Sequence, residues 1–124
     1  MNKTYEILIG KELTKGSSTI PVINPFTGEP FAQVCLADSD TIEKAIILAE
    51  KAFKKTRILP AYQRSQICPE VAAGIQRRSE EFARVIVQES GKPLIFARGE
   101  VARSISTFEI ASQEALRLDG EMLT

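Results

Sequence analysis

Apolar residues recur at helical spacing between Ala61 and Glu89, at Ile67, Val71, Ile75, Phe82, Val85 and Ile86. The same spacing returns after residue 93, at Val101, Ile105, Phe108, Ala111 and Ala115. Steps of three and four stack side chains on one helical face, so the pattern predicts two long amphipathic helices. Between them stands Glu89-Ser90-Gly91-Lys92-Pro93. Gly91 suits the left-handed residue just past a helix end. Pro93 cannot continue the first helix, but its fixed φ suits the first turn of the second. Pro69 is the misfit, because its ring crowds the carbonyl of Ser65 and it donates no hydrogen bond. A kink there, or a helix starting afresh near Pro69, is expected.

A shorter helix is predicted from Asp38-Ser39-Asp40 onward. Ser39 or Asp40 can cap it, with Glu43 three residues beyond Asp40 as the capping-box partner. Ile42, Ala45, Ile46, Ala49 and Phe53 form a stripe expected to be buried, while Glu43, Lys44, Glu50 and Lys51 face water. Lys54 and Lys55 lie where the helix dipole favours cations, and Leu59-Pro60 ends the element. Ahead of residue 38 the chain reads as short strands, from β-rich and β-branched stretches. Tyr5–Ile9, Glu12–Thr14, Thr19–Ile23 and Phe31–Leu36 read as strands, with turns at Gly10-Lys11 and Asn24–Glu29. Pro21 fits an edge strand. The predicted fold is α+β: a small antiparallel β unit in residues 1–37, then three main helices in 38–124, the last two antiparallel.

Composition narrows the function. The chain has 124 residues, 44% of them hydrophobic, enough for one compact domain. Sixteen basic residues balance sixteen acidic ones, which points to neither nucleic acid nor a membrane surface as partner. No apolar run approaches membrane-spanning length. Two cysteines far apart, with no Cys-x-x-Cys pair, fit a reducing cytoplasm. The absence of histidine excludes a histidine base and the commonest zinc sites within these residues, and no metal site is predicted.

Four features in register carry a resemblance: Asn24-Pro25-Phe26-Thr27-Gly28-Glu29 before a strand, the helix Ile42–Phe53, Glu89-Ser90-Gly91-Lys92-Pro93, and Glu100-Val101-Ala102-Arg103. Together they resemble the amino-terminal segment of the NAD(P)-dependent aldehyde dehydrogenase superfamily, over nearly all 124 residues. Ala97–Arg103 and Ala115–Glu121 resemble the branch of lactaldehyde and non-phosphorylating glyceraldehyde-3-phosphate dehydrogenases. The resemblance implies that residues 1–124 form the amino-terminal part of an α/β cofactor-binding domain. It also implies an enzyme that oxidises a small-molecule aldehyde to a carboxylic acid with NAD or NADP, through a cysteine thiohemiacetal. In the family the nucleophilic cysteine, its oxyanion-hole asparagine, the glutamate and the cofactor-binding glycines all lie downstream of what matches here. No catalytic and no cofactor-binding residue is therefore assigned in this chain, which alone is expected to be inactive and to bind neither cofactor.

Arg103 is the one candidate substrate-binding residue. The branch resemblance places it where an arginine meets a substrate phosphate, a task that suits a guanidinium fork. Its simpler role is a helix-surface contact with Glu100 three residues before, or with Thr107 four after. Cys35 and Cys68 read as inert packing thiols, Lys92 as a solvated lysine after a helix end, and Glu89 as a surface or capping carboxylate. The ending Asp119–Thr124 lacks a terminal cap, so a fragment is expected. The alternative is a complete, non-catalytic helical interaction module derived from the family. Apolar stripes without a sheet to cover them are expected to drive homo-oligomerisation.

Overall fold

A computed structural model describes residues 3–117, so the Asp119–Thr124 ending and the resemblance beyond Arg117 lie outside the described residues. Five strands come first: β1 (Lys3–Tyr5), β2 (Ile7–Ile9), β3 (Glu12–Thr14), β4 (Ser18–Ile23) and β5 (Pro30–Leu36). Four helices follow: α1 (Ser39–Thr56), α2 (Ala61–Arg77), α3 (Ser79–Ser90) and α4 (Leu94–Glu114). The class is α+β. The elements form two compact units, Met1–Ile58 with Gln88–Gly91, and Leu59–Val87 with Lys92–Thr124.

In the first unit, β1, β5 and β4 form a sheet in that order, and β2 and β3 form a separate two-stranded ladder. β4 runs antiparallel to β5, with Ile20 opposite Val34 and Pro21 opposite Gln33. β4 is an edge strand, the place in a sheet where a proline such as Pro21 is tolerated. The β unit is not wholly antiparallel: β1 pairs parallel with β5, Lys3 opposite Ala32. The expected strand Tyr5–Ile9 is interrupted at Glu6, so its first part joins β5 while Ile7–Ile9 turns back on β3. Gly10, at φ 62°, makes that tight turn.

The turn at Asn24–Glu29 is closed by its own atoms. The Phe26 amide donates to Asn24 Oδ1 at 2.9 Å, and the Gly28 amide donates to the Asn24 carbonyl at 2.8 Å. Gly28 itself has φ 74°. These are the reasons an Asn-Pro-x-x-Gly stretch turns where it does.

Helix α1 departs from expectation twice. Its cap is Asp38, one residue before Ser39 and two before Asp40, and its carboxylate accepts from the Thr41 amide at 2.9 Å. The stripe expected to be buried is open: no α1 residue is buried, and Ile42, Ile46 and Phe53 are half or more exposed. The spacing is amphipathic, but the described residues supply no layer broad enough to cover that face.

In the second unit, the run expected to be one helix from Ala61 to Glu89 is two. Thus there are four helices, where three main ones were predicted. The break falls at Arg78 (φ −112°, ψ 19°), not at Pro69, which stays inside α2. Arg78 holds Glu81 through two hydrogen bonds of 2.8 and 2.7 Å, and Glu80 and Glu81 occupy the first turn of α3. Acidic groups there oppose the exposed amide dipoles, and Arg77 does the converse for the end of α2.

Pro69 is tolerated because α4 supplies what it removes. The carbonyl of Ser65, four residues back, instead accepts from Ser112 Oγ at 2.8 Å. That contact, with Gln76 near Ile105 at the other end, makes α2 and α4 antiparallel. The core of this unit is built from Ala83, Ala97 and Val101, with Ile75, Ile86, Val87, Leu94 and Ile105 packed on them. Ala83 and Ala97 are fully inaccessible, so the helix backbones approach closely there.

Gly91 has φ 68°, the left-handed value expected past a helix end. A β-carbon there would also stand 3.0 Å from Cγ of Pro25. Gly91→Ala is expected to lose roughly 1–2 kcal/mol of stability, the cost of an L side chain in that region. Urea unfolding followed by circular dichroism measures it, and an unchanged or raised midpoint would contradict the assignment. Pro93 is the N-cap of α4 (φ −57°, ψ 142°), one place earlier than the first helical turn. Its extended ψ makes it the entry to the helix.

Candidate functional site

The sequence candidate Arg103 lies in the middle of α4, with its side chain 76% exposed. One turn earlier, Glu100 is half-buried and forms the hub of a small charge cluster. Lys92 Nζ donates to Glu100 Oε1 at 2.7 Å, and Arg103 Nη2 stands 3.7 Å from the same oxygen. The hydrogen bond from Lys92, then its charge and that of Arg103, hold the Glu100 carboxyl below the ordinary glutamate range, with partial desolvation opposing them. At neutral pH the cluster thus carries two cations and one anion.

The backbone fixes this arrangement. Gly91 turns the chain, so Lys92 enters α4 from its amino-terminal side and reaches two turns along it. Ser104 Oγ and Thr107 Oγ1 donate to the carbonyls of Glu100 and Arg103, at 3.0 and 2.9 Å, and add side-chain bonds to this stretch of helix. Both contacts foreseen for Arg103, to Glu100 and to Thr107, are present, the second through its backbone carbonyl. The guanidinium itself makes no hydrogen bond among the described residues. Lys92 meets Glu100 more closely than Arg103 does, at 2.7 against 3.7 Å.

Lys92 is not the solvated lysine expected from its place after a helix end, because its ammonium is committed to Glu100. A pair eight residues apart across a turn follows no helical spacing, so periodicity could not reveal it. A second acid–base cluster lies nearby on α3 and α4. Arg98 grips both carboxylate oxygens of Glu80 at 3.0 Å, and Arg84 lies 3.3 Å away. Arg98 lowers the Glu80 pKa chiefly by that hydrogen bonding. Arg84, 69% exposed, thus stands to Glu80 much as Arg103 stands to Glu100, beside a carboxylate already held by another cation.

The remaining candidates stay apart. Cys35 is buried on β5 and Cys68 half-buried on α2, both as free thiols, and Glu89 is exposed near the end of α3. Among the described residues no group of three His, Cys, Asp or Glu side chains could hold a metal, and no helix is long and apolar enough to cross a membrane. The direct strand-to-helix passage, from β5 into α1, carries no glycine and is capped by the Asp38 carboxylate, which would repel a pyrophosphate.

The family model described as "Aldehyde dehydrogenase family" matches residues 13–124. A 3-sulfolactaldehyde dehydrogenase of Priestia aryabhattai is 33% identical over 119 residues, which cover 96% of this chain and 24% of the relative. Among solved structures, aldehyde dehydrogenase 21 from Physcomitrella patens, in complex with the reaction product succinate, superposes with a TM-score of 0.92 at 35% identity, covering 98% of this chain and 25% of that one. Lactaldehyde dehydrogenase from Escherichia coli superposes with a TM-score of 0.94 at 28% identity, covering 100% and 26%. The chain therefore spans about a quarter of the length of the relatives it matches.

Proposed function

The chain belongs to the aldehyde dehydrogenase family, and on that footing we propose that it is the amino-terminal part of the cofactor-binding domain of an NAD(P)-dependent enzyme that oxidises an aldehyde to a carboxylic acid. The observation that carries the reading is the continuous match over residues 13–124 against only a quarter of each relative. The cysteine nucleophile, the oxyanion hole and the cofactor site belong, in this reading, to polypeptide beyond the described residues. NAD or NADP would be held there. The whole enzyme is a cytoplasmic homo-oligomer, in keeping with free thiols and open apolar stripes.

The substrate class in this reading is an aldehyde bearing an anionic group. Arg103 supports it, as an exposed guanidinium whose carboxylate neighbour is already held by Lys92. The names of two relatives, one for a sulfonate-bearing aldehyde and one with a dicarboxylate product, agree with it.

A chimera tests both parts. Residues 1–124 replace the matching segment of the Priestia enzyme, and NADH or NADPH formation is followed with several aldehydes. The chimera is expected to turn over while the isolated chain does not. Arg103→Gln is expected to raise KM for an anionic aldehyde at least tenfold and to leave a neutral one almost unchanged. A folded chimera that oxidises no aldehyde would favour the alternative, a non-catalytic helical interaction module.

A further inference from the structure

The hairpin β2/β3 and helix α1 enclose a groove of about 680 Å³ that no part of the proposed reaction uses. Ile9, buried, and Leu48, 41% exposed, line it. Lys11 at the hairpin turn and Lys44 and Lys51 on α1 stand around it. Lys44 and Lys51 are seven residues apart, so they share one face of α1, about 10 Å apart along its axis at 1.5 Å per residue. Leu48 lies between them in sequence and in space. The hairpin comes close at this point, since a β-carbon on Gly10 would meet Leu48 Cδ1 at 3.5 Å.

None of these three lysines forms an ion pair among the described residues. Lys44 acts only at a distance on Asp38, and Glu12 is the single carboxylate lining the groove. A solvated face of a helix would alternate lysines with polar neighbours. Here the residues between the lysines, Ala45 to Glu50, are apolar except for Glu50, which pairs with Lys54 at 3.6 Å, and Ile47 is 48% exposed.

We propose that this groove is a docking surface for an acidic amphipathic peptide segment of a partner protein. Lys44 and Lys51, some 10 Å apart along α1, together with Lys11 on the hairpin suit several carboxylates in a row, and the leucine between the helix lysines suits an apolar side chain on the same peptide face. A single phosphate would find no converging backbone amides, and a one-headed fatty acid would leave two lysines unpaired. Long lysine stems can follow a peptide whose carboxylates repeat at helical spacing.

The probe is a fluorescein-labelled 18-residue helical peptide of Glu, Leu and Ala, with glutamates seven apart flanking a leucine stripe. Its control is a scramble of equal charge without the stripe. By fluorescence anisotropy the chain is expected to bind the probe at least tenfold more tightly than the scramble. Lys44→Glu with Lys51→Glu should weaken probe binding tenfold or more, and Leu48→Ser should weaken it without any change of charge. If the charge-reversed protein loses its circular dichroism signal, Lys44→Gln with Lys51→Gln replaces it. Equal affinity for probe and scramble, or probe binding untouched by the variants, would overturn the proposal. So would a groove already filled by a second copy of the chain, seen as a dimer that the same variants dissociate.

Discussion

Gly16→Ala is expected to be the most damaging single change in the β unit, with a loss on the order of 3 kcal/mol or more. An ideal β-carbon at Gly16 would stand 2.2 Å from the carbonyl oxygen of Leu36, 2.9 Å from its amide nitrogen and 3.0 Å from Cβ of Cys35. Two of these are backbone atoms at the end of β5, so no rotamer change relieves the clash. Either β5 shifts or the loop before β4 moves away, and both loosen the β4/β5 ladder from Ser18 opposite Leu36 inward. Overpacking of a tight contact costs about 1–3 kcal/mol where side chains can yield, and more where they cannot. The cause is space and not torsion, because Gly16 is not among the glycines with positive φ. Amide exchange should show lost protection across β4 and β5, while α2 and α4 keep theirs. A urea midpoint within 0.5 M of wild type would mean that the close approach at Gly16 does not exist.

The effect at Gly16 could not have been read from the sequence. Lys15-Gly16-Ser17-Ser18 is ordinary loop composition, and only the fold brings Leu36 against it. Elements whose signal is local were legible. Gly91 and Gly10 adopt the left-handed conformation that their positions require, and Asn24–Glu29 turns through its own side chains. The boundary at Arg78 was legible in principle, since Arg77-Arg78 followed by Ser79-Glu80-Glu81 is a basic helix end meeting an acidic helix start. Residues 76–81 are also all polar, but Phe82 follows Ile75 by seven residues, two helical turns, so the apolar face keeps its phase across the break.

Non-local facts were not legible. Periodicity gives a helix its apolar face but not what covers it, which is why the α1 stripe was expected to be buried and is exposed. The parallel pairing of β1 with β5 likewise depends on a strand some thirty residues on. At the candidate site the same division holds. The contact of Arg103 with Glu100 follows from a three-residue step on a helix. The closer grip of Lys92 on Glu100 depends on how the chain re-enters α4 after Gly91.

Ser112→Ala is expected to cost roughly 1–2 kcal/mol, and the reason lies across the helix pair at Pro69. A proline inside α2 has no amide to give the Ser65 carbonyl, so that acceptor would go unmet in a part-buried contact. Ser112 Oγ donates to it at 2.8 Å and also lies 3.0 Å from Ser65 Oγ. One hydroxyl carries one proton, so with the Ser112 proton on the carbonyl, Ser65 must donate to Ser112. Removing the Ser112 hydroxyl therefore strips the carbonyl of its donor and the Ser65 hydroxyl of its acceptor. In a Pro69→Ala background the restored amide can supply the carbonyl from within α2, and the cost of Ser112→Ala should fall to a few tenths of a kcal/mol. The cycle of wild type, both single variants and the double variant isolates that coupling, expected near 1 kcal/mol. Strictly additive urea stabilities would show that Ser112 does not replace the hydrogen bond that Pro69 gives up.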